Sequence, residues 1–427
     1  MPMNEAVVVG GGIAGITAAL DIAGHGIHVS LIEREPTIGG HMAMLDKTFP
    51  TNDCSMCILS PKMVEVERHP NITLHTCSEV TGVEGKAGDF LVHVTRHPRY
   101  IRASECTGCG DCTEVCPVEV YNRFDAGVGV RKAIYKAHPQ VVPNLVIRDR
   151  EHCIDCGLCY DICGKQAVLR DDEDSEEEFV IRAGTIILAT GYDVFDARKK
   201  TPYKYLSIPD IITSLELERL INASGPTGGK VRRISDGRVP REIVFIQCVG
   251  SRDIPLGCTS CSAVCCMYAI KNAMLIKEKN PEINVTILYM DIRAYGKGYE
   301  EYYERAVNLG VKFIRGMPGD IYAMDGTIMV QVENTETQEI LKINANLVVL
   351  SVGIRPARDA SALAERLGIT CDESGFFQCS DEKCGPVQTL KPGIFIAGTC
   401  REPMDIPDTV MEGGAAAMKA VISLMQG

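Results

Sequence analysis

The sequence predicts an α/β protein of two units, the first interrupted by a cysteine-rich insertion. Three observations predict it. A glycine turn sits between an apolar strand and a helix at the amino terminus. Two four-cysteine runs occupy the middle of the chain, and a second apolar strand runs into cysteines where a glycine turn would be expected.

At 427 residues the chain can hold two or three domains with substantial cores. A formal net charge of -12 and the lack of a broad basic stretch argue against nucleic acid as a partner. The sequence shows no charged-then-apolar leader and no continuous apolar run long enough to span a bilayer, so the expected location is cytoplasmic, with membrane contact only through partners. Twenty cysteines exceed what core packing needs, and a secreted disulfide framework does not suit this context; metal or redox use accounts for them better.

The apolar strand at residues 6–9 leads into Gly10, Gly12 and Gly15, which have the dinucleotide spacing, and then into a helix. The first two glycines let the backbone turn and approach a pyrophosphate, and the third lets helix and strand pack closely. Ile13 and Ala14 open the helix, whose free N–H groups face the phosphates. A second strand, residues 28–32, ends at Glu33, whose carboxylate suits adenosine ribose hydroxyls, followed by Arg34. Gly39 and Gly40 suit a close cofactor approach. Cys54 and Cys57 form a CxxC pair, read as a redox dithiol, half a cluster site or two packed cysteines. Residues 73–93 read as strands and hairpins turning through Gly82, Gly85 and Gly88.

Next come Cys106-x-x-Cys109-x-x-Cys112-x-x-x-Cys116-Pro117 and Cys153-x-x-Cys156-x-x-Cys159-x-x-x-Cys163. This is the two-cluster bacterial ferredoxin pattern, in which soft thiolates wrap iron–sulfur cubanes and each fourth cysteine serves the other run's cluster. The expected sets are Cys106, Cys109, Cys112 with Cys163, and Cys153, Cys156, Cys159 with Cys116. Zinc is the rival metal, but these tripled short gaps favour clusters. Gly164 stands where proline would follow the second run, and residues 121–150 are longer than a compact ferredoxin needs. That segment, with Lys132, Lys136, His138 and Pro139, is expected to pack on the first unit or on a partner. The acidic run 171–178 reads as a solvated hairpin tip. An apolar strand ending at Ala189, Thr190 and Gly191 then returns the chain to the first unit, making the cysteine segment an insertion. Residues 224–230 read as a flexible boundary or docking loop.

The second unit opens at residues 242–247 and continues with Cys248-Val249-Gly250-Ser251, followed by Cys258, Cys261, Cys265 and Cys266. A cysteine site in place of a nicotinamide site is the expectation, with five cysteines for four ligand places. Strands at 285–289, 328–332 and 347–353 and a helix at 298–309 continue the alternation. The chain closes with a strand into Gly398, then Asp408 and Thr409, then a helix at 413–425.

The glycine turn, the Ala189-Thr190-Gly191 strand end and the Ala397-Gly398 segment resemble the thioredoxin-reductase-like two-dinucleotide-fold flavoproteins. More specifically, Asn52-Asp53-Cys54-Ser55-Met56-Cys57-Ile58-Leu59, Gln247-Cys248-Val249-Gly250-Ser251-Arg252-Asp253, Cys265-Cys266-Met267-Tyr268-Ala269-Ile270-Lys271 and Asp405-Ile406-Pro407-Asp408-Thr409 resemble the iron–sulfur flavoprotein component of heterodisulfide reductase. The flavoprotein of the quinone-interacting membrane-bound oxidoreductase is a close relative. The resemblance implies FAD, [4Fe-4S] clusters and a hetero-oligomeric complex of an anaerobe, with B- and C-like subunits or related electron-transfer proteins as partners. It implies that Cys248, Cys261, Cys265 and Cys266 hold an additional cluster, with Cys258 spare. Electrons would pass between flavin, clusters and partners, with bifurcation a property some members have, while the heterodisulfide is reduced on another subunit. No catalytic side chain is assigned to this chain. The alternatives are the flavoprotein of a quinone-linked complex, a stand-alone NAD(P)H-dependent disulfide reductase and a structural cluster protein.

The expected division is an FAD-binding domain in three parts, 1–100, 171–235 (with linker) and 351–427. A ferredoxin-like insertion occupies 101–170 and a second Rossmann-like domain 236–350. Longer family members carry an amino-terminal domain and a carboxy-terminal ferredoxin domain, and both are expected to be absent here.

Overall fold

The computed structural model describes residues 5–324 and 326–426. Short β-branched runs build its first sheet. Strand Glu5–Val9 is buried from Ala6 onward and lies between Thr185–Leu188 and His28–Ile32 in a five-stranded parallel sheet. Ile394–Ile396 and Ile72–His75 form its edges. Strands covered on both faces favour continuous apolar runs, and the central residues 6–9 and 186–188 are apolar throughout and buried. Helices Ile13–Gly24 and Ile406–Gln426 share one face of the sheet. A Cβ added at Gly413 would come within 2.7 Å of the Ala14 carbonyl oxygen, so the two helices pack backbone against backbone.

The second sheet is also parallel and five-stranded, ordered Ile211–Thr213, Leu347–Val352, Glu242–Val249, Asn284–Tyr289, Lys312–Arg315, so residues 211–221, expected with the first unit, pack in the second. Helix Cys265–Lys279 buries Met267, Ile270, Ala273 and Met274 in its core. The chain crosses between the units through Tyr192–Val194 and Ile354–Pro356, which pair antiparallel.

The insertion leaves and returns through neighbouring strands. Asp89–Arg96 pairs antiparallel with Glu177–Ala183, and Arg96 stands opposite Glu177, with their side chains joined in an ion pair. Between them lies a small core of Ile101, Ile134, Val146 and Val168 around Cys112 and Cys159. The two cysteine runs repeat one local structure: Gly110 and Gly157, both at positive φ, each start a short helix, Asp111–Glu114 and Leu158–Ile162.

Two local expectations need correction and one needs sharpening. The acidic run is exposed as expected, with Asp174 alone half-buried, but it is no free hairpin tip: Asp171 pairs with Arg148 and Arg150, Asp174 accepts the amides of Arg99 and Tyr100, and Glu176 bonds His97. These charges are spent on basic groups and free N–H groups nearby. Gly82 and Gly85 lie within strand Ser78–Lys86, with only residues 87–88 forming the turn; the ladder slips near Gly82, which is where a glycine fits in a strand. The last helix begins at Ile406, before the expected start, because Asp405 accepts the amides of Asp408 and Thr409 and so caps it.

Candidate functional site

The amino-terminal turn is built by two glycines that nothing larger could replace. Gly10 has φ +106°, and a Cβ there would lie 2.3 Å from the Ala189 carbonyl oxygen; one at Gly15 would lie 1.9 Å from the Gly10 carbonyl oxygen. Gly12 differs, since an added Cβ would meet nothing within 4 Å. It is an open cradle at the start of helix Ile13–Gly24, whose amino terminus has no side-chain cap. Glu33 lies at the end of strand His28–Ile32, accepting the Gly11 amide at 2.7 Å and the Glu35 amide at 2.8 Å. Burial pushes its carboxyl above the usual range against the pull of those two amides. Arg34 pairs with Asp359 at 3.1 Å. Gly39 donates its amide to the Gly11 carbonyl at 2.7 Å, which lays Gly39 and Gly40 on the turn, and a Cβ on Gly40 would come 3.1 Å from Gly12 Cα. Ala189, Thr190 and Gly191 close the other side; the Thr190 hydroxyl is buried with no partner. Gly398 abuts Ala14 and Thr409, while Asp408 lies in the first turn of the last helix. An open glycine cradle, an uncapped helix amino terminus and an orphaned hydroxyl fit a dinucleotide diphosphate.

In the insertion, Cys116, Cys153, Cys156 and Cys159 line one recess with Ile134, Arg148 and Tyr160. Cys106, Cys109 and Cys163 crowd around Cys112, whose thiol is pushed up to about 11, first by burial and then by these neighbours and Cys159. Thiolates gathered like this repel one another unless a cationic group neutralises them, so the donor set fits soft-metal clusters. Arg148, with a side chain only 1% exposed, lies with Nε 3.3 Å from Cys153 Sγ. It brings a buried positive charge to the second run.

In the second unit the glycine turn is missing, as expected from the sequence. Strand Glu242–Val249 is followed by a loop over residues 250–264 before helix Cys265–Lys279 begins. Cys248, in a left-handed conformation (φ +58°), packs with Cys265 and Cys266 as a separate buried group against Tyr268 and Met290. Hydrogen bonding from Cys265 holds the thiols of Cys248 and Cys266 below the usual range, Cys266 at about 7, while Cys265 itself is raised. Cys261 is partly exposed and accepts the Ala263 amide at 3.3 Å; Arg252, paired with Asp291, is a charged neighbour of both Cys248 and Cys261. Cys258 belongs elsewhere: it is buried with Phe195, Tyr203 and Val249, and its thiol donates to the Leu256 carbonyl.

Cys54 and Cys57 are joined in a disulfide at the start of helix Ser55–Arg68, with Cys54 as the cap residue and Cys57 exposed. Other features had no sequence signal. His41 stacks on Tyr192 with ring centroids 4.3 Å apart, between the Gly39–Gly40 turn and Gly191. Lys271 and Glu218, both buried, pair between the helices of the second unit, and Lys271 also bonds the Lys47 carbonyl at 2.8 Å. Such pairs join residues far apart in the chain, where periodicity gives no hint.

Among the described residues no helix is long and apolar enough to cross a membrane. Comparison with family models matches residues 5–53 to FAD dependent oxidoreductase, 105–168 to the 4Fe-4S dicluster domain and 154–420 to pyridine nucleotide-disulphide oxidoreductase. FAD and [4Fe-4S] clusters are therefore the cofactors of this oxidoreductase chain. Curated relatives include the iron-sulfur "A" component of CoB--CoM heterodisulfide reductase from Methanocaldococcus jannaschii, 52% identical over 99% of this chain and 65% of its own length. The corresponding "A" component of H(2):CoB-CoM heterodisulfide,ferredoxin reductase from Methanothermobacter marburgensis is 48% identical over 99% and 64%. The chain thus spans just under two thirds of the length of these relatives. Thioredoxin reductases of Lactococcus lactis and T. acidophilum share its fold, each with TM-score 0.54, at 18% and 14% identity. These cover 99% of this chain and 99% and 98% of their own. With its two parallel sheets and inserted cysteine runs, the chain belongs to the pyridine nucleotide-disulphide oxidoreductase family, in a form that resembles the iron–sulfur flavoprotein of heterodisulfide reductase.

Proposed function

We propose that this chain is the FAD- and iron–sulfur-containing electron-transfer subunit of a heterodisulfide-reductase-like complex. The observation that carries this reading is the loop over residues 250–264. Where a second dinucleotide turn would bind a nicotinamide, Cys248, Cys265 and Cys266 are buried together instead.

The residues divide the work. Gly10, Gly12, Gly15 and the amino terminus of helix Ile13–Gly24 hold the flavin dinucleotide's diphosphate, with Ile13 and Ala14 in that first turn and Glu33 at the ribose. Arg34, Gly39, Gly40, Ala189, Thr190, Gly191, Gly398, Asp408 and Thr409 border the rest. Cys106, Cys109, Cys112 and Cys163 take one cluster; Cys153, Cys156, Cys159 and Cys116 take the second. Cys248, Cys261, Cys265 and Cys266 take a third, leaving Cys258 outside it. FAD exchanges electrons in pairs or singly and each cluster carries one, so together they join a two-electron site to one-electron partners. Arg148 offsets thiolate charge at the second cluster, and Cys266, its thiol held at about 7, ionises readily for metal. B- and C-like subunits are the partners this reading calls for, with the disulfide substrate reduced on one of them.

Anaerobic purification with quantitation of iron, sulfide and flavin tests the reading. One FAD and about twelve iron atoms per chain are expected for three four-iron clusters. About eight would remove the cluster at Cys248, and absence of FAD would overturn the reading. The Cys54–Cys57 disulfide favours a second reading, a stand-alone NAD(P)H:disulfide reductase; rapid bleaching of the flavin by NAD(P)H alone would establish that one instead.

A further inference from the structure

The two cysteine runs repeat one local structure but not one charge. Five residues before the first cysteine of each run stands a buried side chain: Ile101 ahead of Cys106, and Arg148 ahead of Cys153. Each lies in a short antiparallel pairing, Ile101 opposite Val168 and Arg148 opposite Ile134. The repeat therefore puts an aliphatic side chain beside one run and a guanidinium beside the other.

Arg148 is fully engaged. Its Nε lies 3.3 Å from Cys153 Sγ, one terminal nitrogen donates to the Leu169 carbonyl at 3.3 Å and to Asp171 at 2.9 Å, and the other pairs with Asp155. The rings of Tyr100 and Tyr160 have their centroids 5.6 and 5.5 Å from its guanidinium carbon. Asp155 and Asp171 do not cancel this charge at the sulfur. Both are about half exposed, and both are shared with Arg150, which is itself partly exposed. Water and Arg150 take up much of the carboxylate charge, whereas the Arg148 guanidinium is out of water and acts on the sulfur with little screening.

The first set, Cys106, Cys109, Cys112 and Cys163, has a different surrounding. Its sulfur accepts from a neutral donor, the Ala167 amide 3.3 Å from Cys163 Sγ. Lys136 reaches this run but spends its ammonium on oxygens, the Gly108 carbonyl and Asn144 Oδ1 at 2.8 Å. Among the described residues, Arg148 is the one cationic side chain hydrogen-bonded to a sulfur of either run.

We propose that Arg148 sets the two clusters of the insertion at different potentials, raising the one on Cys153, Cys156, Cys159 and Cys116 above the one on Cys106, Cys109, Cys112 and Cys163. The inference rests on the insertion holding two [4Fe-4S] clusters, as the proposed function assigns them. Reduction adds one negative charge to a cluster, and a buried cation donating to a ligand sulfur stabilises that charge. The exchange that Arg148 biases is balanced: one electron leaves the first set and the same electron is taken up by the second, with no bond made or broken. Arg148 acts through Cys153 and is a positioning residue for the electron.

Arg148→Gln, Arg148→Lys and Asp171→Asn, made in the whole chain and purified anaerobically, test this by EPR-monitored redox titration and iron quantitation. Cys156→Ser, which changes the spectrum of the second cluster, identifies its signal. In the wild type the second cluster is expected to be reduced at the higher potential. Arg148→Gln keeps a donor but removes the charge; it should disfavour reduction of that cluster roughly tenfold, about 59 mV for one electron, and move the first cluster less. Arg148→Lys keeps the charge and should recover part of the shift. Asp171→Asn removes a counter-charge and leaves Arg148 in place, so the same potential should move upward. A purely structural role would cost iron or stability without displacing the potential of the clusters that remain. Unmoved potentials or equal shifts of both clusters in Arg148→Gln, or a first cluster reduced at the higher potential in the wild type, would overturn the proposal. If neither Arg148 variant retains iron, Asp171→Asn decides alone: an upward shift of the second cluster supports the proposal and an unchanged potential overturns it. A single ferredoxin-type signal in the wild-type chain would overturn the two-cluster reading itself, a result visible before any variant is made.

Discussion

Arg219 Nε and Asp125 Oδ1 lie 3.0 Å apart and are almost fully buried, joining a helix of the second unit to the cysteine-rich insertion. The same guanidinium donates to the Met44 carbonyl of the first unit, so one side chain ties three parts of the chain together. Asp125→Ala strands that cation in the interior. A destabilisation of about 3–5 kcal/mol is expected, read from the urea midpoint of the flavin-free protein. Asp125→Asn keeps an acceptor and should cost less.

Gly12 and Gly15 should separate folding from binding. Gly15→Ala drives a methyl into the Gly10 carbonyl oxygen, so soluble protein or its melting temperature should fall sharply. Gly12→Ala meets open space, and with φ at -75° it carries no backbone strain. It is expected to fold normally yet bind FAD about tenfold more weakly or worse, because the methyl occupies the place of the phosphate. Equal FAD content in Gly12→Ala and wild type would contradict the cradle.

Cys258 and Cys266 are only a few residues apart, yet they should behave differently. Cys266→Ala removes a proposed ligand, and iron content should drop by about four atoms per chain. Cys258→Ala removes a thiol packed with Phe195 and Tyr203, so iron should be retained while stability falls by about 1 kcal/mol. Loss of iron in both variants would move Cys258 into the ligand set.

Acid should weaken the flavin-free protein through His138. Burial and then Arg219 hold this imidazole at about 4, against an ordinary 6.5. Between those values the unfolded chain takes up a proton that the folded chain refuses. Its contribution is therefore complete above pH 6.5 and is progressively lost as the pH falls toward 4. Between pH 7 and pH 5 the loss amounts to roughly 2 kcal/mol, and His138→Gln should remove that part of the pH dependence. Urea titrations of both proteins at pH 7 and pH 5 measure it; parallel behaviour would mean His138 is solvated.

Chemistry that depends on short spacing is legible in the linear chain. Gly10, Gly12 and Gly15 announce a dinucleotide turn because backbone approach needs glycine at those intervals, and the cysteine runs announce clusters because thiolates must converge within a few residues. Paired strand ends at Arg96 and Glu177 likewise bear out an insertion, legible from the apolar strands on either side. Polar pairing with distant partners is not legible in the same way: the acidic run is exposed as its composition implies, yet nothing nearby in sequence reveals its bonds to Arg148, Arg150 or the Arg99 amide. Three-dimensional packing was needed to set Cys258 apart from Cys248, Cys265 and Cys266, since all four share one stretch of chain and differ in which side chains surround them. Packing also brings Arg219 to Asp125 across 94 positions and buries His138 beside them. Those contacts join residues of different units, so they depend on how the packed surfaces meet and not on any spacing along the chain.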